Sequence, residues 1–67
     1  MDNDIKKYLM YVENNLMKKY NITQDLSRRI ISESYLPDSI IKFPEECLHE
    51  DIETVTDIIY HDYLEGI

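Results

Sequence analysis

The sequence has no alanine, no tryptophan, one glycine and one cysteine, and each shortage removes a class of explanation. A lone Cys47 cannot close a disulfide within the chain, so no covalent staple is expected and a reducing cytoplasm is the simpler compartment. A lone Gly66 leaves no Gly-rich phosphate loop and few of the strained loops on which catalytic sites are built. No apolar run approaches the ~20 residues of a membrane span. The opening stretch MDNDIKKYLMYVENN is charged and amphipathic, without the apolar centre or small-residue cleavage site of a secretory signal. Lysine and arginine are absent after Lys42.

What is present suffices for a folded domain. The 67 residues are 43% apolar and 31% charged, with ten isoleucines and six tyrosines, a composition that argues against disorder. A chain of this length forms one domain, residues 1–67, near the lower limit of independent folding. A second copy or a partner is then a natural source of further stability. The abundance of Ile, Tyr, Asn and Lys over Ala, Gly, Arg and Pro follows A/T-rich codons and points to an AT-rich genome, bacterial or phage.

Charge is divided along the chain. Residues 1–42 hold six acids and seven bases, a net of +1, whereas residues 43–67 hold eight acids and no base, a net of −8. Such a split serves either internal pairing or a basic external partner. It disfavours binding of the tail to nucleic-acid phosphates or anionic lipid.

Apolar spacing predicts an all-α fold, a small bundle with three main helices at about 3–20, 24–35 and 50–65. One or two short helical turns are expected between 37 and 48. In the first helix Ile5, Tyr8, Leu9, Val12, Leu16 and Tyr20 share one face, with Asp2 or Asn3 as N-cap and Asn21 as the stop. Thr23 is placed to cap the second helix, whose inner side carries Leu26, Ser27, Ile30, Ile31 and Ser34. Pro37 and Pro44 each stand where a helix can begin without losing a hydrogen bond. Ile40, Ile41 and Phe43 are expected to enter the core. The last helix ends at Gly66, and nothing alternates with the period of a strand.

The stretch HEDIETVTDIIYHDYLEG sets His49, Glu53, Asp57, His61 and Glu65 four residues apart. Asp57 and His61 could together grip a divalent ion on a helix, but each step of four turns the row by ~40°, so the five drift around the helix. With Ile52 as origin, Ile59 and Tyr63 lie within about 20° and Val55 at about −60°, while Glu53 to Glu65 fall opposite. A polar face accounts for the row, and neither a metal nor a cofactor is expected. Cys47, crowded by Glu45, Glu46, Glu50 and Asp51, is a poor nucleophile. Without an HExxH pattern or a supported Cys/His/Asp grouping, the chain reads as non-enzymatic.

Apolar residues outside the core faces carry more information. Ile58, Tyr60 and Leu64 widen the arc of the last helix beyond one packed face. Met10 and Met17 form a second stripe on the first helix, and methionine and tyrosine suit adaptable interfaces. Together with Glu53, Asp57 and His61 these are the candidate contact residues. The basic doublets, with Lys7, Tyr11, Asn14 and Lys18 along one ridge and Arg28 and Arg29 beyond, offer an alternative as a nucleic-acid-binding regulator. The overall charge of −7 disfavours it.

The segment PEECLHEDIE followed by an amphipathic helix resembles short uncharacterised helical proteins of low-GC Gram-positive bacteria and their mobile elements. That likeness covers the last third of the chain and implies no activity. The expectation is therefore a small acidic interaction module or regulatory partner. It would act on a protein of basic character or on a second copy as a homodimer, without nucleic acid or membrane.

Overall fold

The structure is a computed structural model, and it describes residues 3–66. Five helices follow one another: α1 (Asn3–Tyr20), α2 (Gln24–Glu33), α3 (Leu36–Lys42), α4 (Pro44–Leu48) and α5 (Ile52–Glu65). No strand occurs among the described residues, so the all-α expectation holds. No helix among them is long and apolar enough to cross a membrane.

The local chemistry explains the boundaries. Asn21 adopts φ 54°, a left-handed conformation that asparagine tolerates better than most residues, and α1 ends there. The Thr23 hydroxyl accepts the Leu26 N–H at 3.2 Å and caps α2. Pro37 and Pro44 occupy first-turn positions of α3 and α4. Asp2 as an alternative cap for α1 lies outside the described residues.

Three expectations change. The second helix ends at Glu33 instead of 35, because Ser34 turns extended and its hydroxyl accepts the Leu36 N–H. The last helix starts at Ile52 instead of 50, because the Asp51 carboxylate takes the Thr54 N–H at 3.1 Å and fixes the N-terminus. Ile41 and Phe43 stay out of the core, 64% and 55% exposed. Leu36 and Ile40 form the inward face of α3, and Ile41 is turned ~100° away from Ile40.

The core joins Tyr8, Val12 and Leu16 of α1, Ile30 and Ile31 of α2, Leu36 and Ile40 of α3, Cys47 of α4, and Val55 and Ile59 of α5. Helices α1, α2 and α5 each touch the other two. Ser27 is fully buried between α1 and α2, where its hydroxyl donates to the Glu13 carbonyl at 2.8 Å. Its small side chain lets the two helices approach closely. Contacts between α1 and α5 advance together along both helices, from Tyr8 with Glu50 to Asn15 with Thr56 and Tyr20 with Asp57. The two helices therefore run side by side in the same sense.

Candidate interaction surfaces

The acidic row on α5 divides into two parts. Lys19, at the end of α1, places its ammonium 2.8 Å from Glu53 and 2.8 Å from Asp57. The Tyr20 hydroxyl donates to Asp57 Oδ1, the same oxygen that the Lys19 ammonium meets, while the Tyr20 ring stacks on Tyr60. Charge explains the resulting titration. The Lys19 contact first, then the Tyr20 hydroxyl, holds the Asp57 carboxyl below its usual range. The same bond raises Tyr20 above the ordinary phenol value, with burial adding to it. Lys19 is pushed up by Asp57 and then Glu53.

Glu53, Asp57 and Tyr60 are thus engaged inside the chain by Lys19 and Tyr20, groups distant in sequence that helical periodicity cannot register. His61 remains exposed, its ring set nearly at right angles to that of Tyr60 at 74°. Among the described residues no three His, Cys, Asp or Glu side chains gather to hold a metal ion.

The remaining tail acids behave differently. Glu45, Glu46, Glu50, Asp51, Asp62 and Glu65 form no ion pair with a lysine or arginine among the described residues. Alongside them stand Phe43, Ile58 and Leu64, each exposed by 43% or more. Met10 is exposed at 53%, whereas Met17 is half-buried. The eight candidate contact residues therefore do not form one patch. Met10 belongs to the α1–α2 side, and Ile58 and Leu64 lie on opposite edges of α5, ~120° apart around the helix.

Cys47 is buried, and burial first, then Glu50 and Glu46, pushes its thiol upward. The neighbouring acids had been expected to do this, yet burial contributes more. The basic ridge Lys7, Tyr11, Asn14 and Lys18 is exposed as its spacing predicts. Across an open cleft, however, Tyr11, Asn14 and Lys18 face Glu50, Asp51 and Glu53. Arg28 pairs with Glu13 at 2.9 Å and Arg29 with Glu33 at 3.3 Å.

Comparison with known proteins adds no relative: no protein-family model, no curated protein and no solved structure matches the chain.

Proposed function

We propose that the chain is a small, acidic, non-catalytic interaction module that acts by covering a basic surface of another protein, in the manner of an inhibitor or regulatory subunit. The observation that carries this reading is the division of the tail acids. Two are bridged by Lys19, while the other six form no ion pair with a lysine or arginine among the described residues, and Ile58 and Leu64 are exposed on the helix that carries Asp62 and Glu65. Acids at the rim of an apolar contact steer a basic partner and set its orientation, while the apolar side chains supply buried area.

A nucleic-acid reading is less favoured. Phosphates approaching the Lys7–Lys18 ridge would meet Glu50, Asp51 and Glu53 across the cleft, and both arginines are already paired within the chain. A gel-shift assay at low salt separates the two readings, since an acidic module gives no shift.

The direct test compares wild type with Glu46→Lys/Asp62→Lys/Glu65→Lys and with Ile58→Asp as baits in the native host. These positions avoid the Lys19 contacts, so folding is preserved and checked by circular dichroism. Wild type is expected to capture a basic protein that both variants lose. Capture of the same proteins by all three, or by none, refutes a recognition role for this face.

A further inference from the structure

A groove between α1, α2 and the start of α3 has an apolar floor of Leu9, Met10, Ile31 and Pro37. Pro37 and Ile41 stand one turn apart on α3, so Ile41 prolongs that floor on the same face. Ile41 is 64% exposed, the highest value among the large apolar side chains of the described residues.

Charge around this strip departs from the acidic tail and matches the balance of residues 1–42. Lys6, Glu13 and Arg28 line the groove, and Asp38 and Lys42 border Ile41 on α3. Three bases against two acids give +1, on a chain of net −7. Among the described residues neither Lys6 nor Asp38 joins an ion pair.

We infer that this strip is the contact between two copies of the chain packed about a two-fold axis. A second copy is itself an acidic body, repelled wherever acids prevail and admitted where they do not. The strip combines that relief with exposed apolar area. The strip also carries charges of opposite sign on two helices. Lys6 lines the groove on α1, and Asp38 follows Pro37 in the first turn of α3. A two-fold axis along the strip sets α3 of one copy against α1 of the other, so each Lys6 faces Asp38 of the second copy while the apolar floor meets itself. For a chain of 67 residues, covering this floor supplements a small core. The strip adjoins the acidic face at Lys42 and Phe43, but Asp62, Glu65 and Ile58 on α5 belong to neither border of the groove, so the variants that test the two assignments are distinct.

Sedimentation velocity of the full chain across the micromolar range tests it, with a reversible monomer–dimer equilibrium expected. Ile41→Asp should weaken dimerisation roughly tenfold or more, by placing a charge in the apolar contact. Lys6→Glu and Asp38→Lys should each weaken it about fivefold, and the double variant should recover most of that loss because the pair is restored with its signs exchanged. All these positions are exposed, so circular dichroism should be unchanged. A monomer at every concentration, a dimer indifferent to Ile41→Asp, or a double variant no better than the singles overturns the assignment.

Discussion

Tyr20 and Tyr60 stack with ring centroids 3.7 Å apart and planes inclined by 8°. Aromatic pairs left to themselves favour offset or edge-on arrangements. Here the Tyr20 hydroxyl is fixed on Asp57, one turn before Tyr60 on α5, so the ring is delivered face to face. The pair clasps the end of α1 to the middle of α5. Tyr60→Ala should cost about 2 kcal/mol in urea denaturation. Tyr60→Phe, which keeps the ring, should be nearly neutral. Equal losses for the two variants would mean that the stack contributes little and the hydroxyl much.

The same clasp makes stability depend on acid. Asp57 is held below the ordinary carboxylate range, by Lys19 first and the Tyr20 hydroxyl second. A carboxyl depressed in the folded state stabilises the fold above its unfolded value and loses that contribution as pH falls through the folded value. Thermal melts should therefore show wild type above Asp57→Asn at neutral pH, the gap closing as the solution is acidified. A gap independent of pH would assign the effect to packing instead.

At the alkaline end Tyr8 plays the corresponding part. Its hydroxyl donates to the Glu50 carbonyl at 3.1 Å, and burial, with Tyr35 and Glu50 next, pushes it up to about 12 from an ordinary 10.0. For a phenol the raised value favours the neutral form in the folded state. Its contribution is thus full below the unfolded value and disappears as pH rises through the folded one. Spectrophotometric titration of the phenolates should show a late component that shrinks in Tyr8→Phe, Tyr20 and Tyr35 also being raised, and alkaline melts of that variant should be less steep in pH.

Ser27 offers a test of the close approach of α1 and α2. Ser27→Ala, losing the bond to the Glu13 carbonyl, should cost about 1 kcal/mol. Ser27→Leu, which must separate the helices, should cost about 3 kcal/mol. Urea denaturation at unchanged slope checks both.

These contacts mark how far local sequence reaches. Helix positions were legible because their determinants are local: Thr23 before α2, proline at the start of α3 and α4, and a core face on α1 repeated from Ile5 to Tyr20. Ile41 and Phe43 were misplaced because LPDSIIKF spans scarcely two turns, too few for periodicity to choose between Ile40 and Ile41 as the inward residue. The Lys19–Asp57–Tyr20 cluster was illegible for a different reason. Its members sit correctly on their own helical wheels, but their meeting depends on the register of α1 against α5. The candidate surface fared accordingly: Ile58 and Leu64 are exposed at the edges of α5, while Tyr60 and two of the acids had partners within the chain.

The burial of Cys47 supplies a clock. It is the chain's single thiol, seated on the five-residue α4 and closed off within the core. An aromatic disulfide reagent gains full access to it when α4 lifts away. The rate of colour release then counts openings of that one short helix, without any label or substitution, and its ratio to the rate of an unfolded peptide gives the fraction of time spent open.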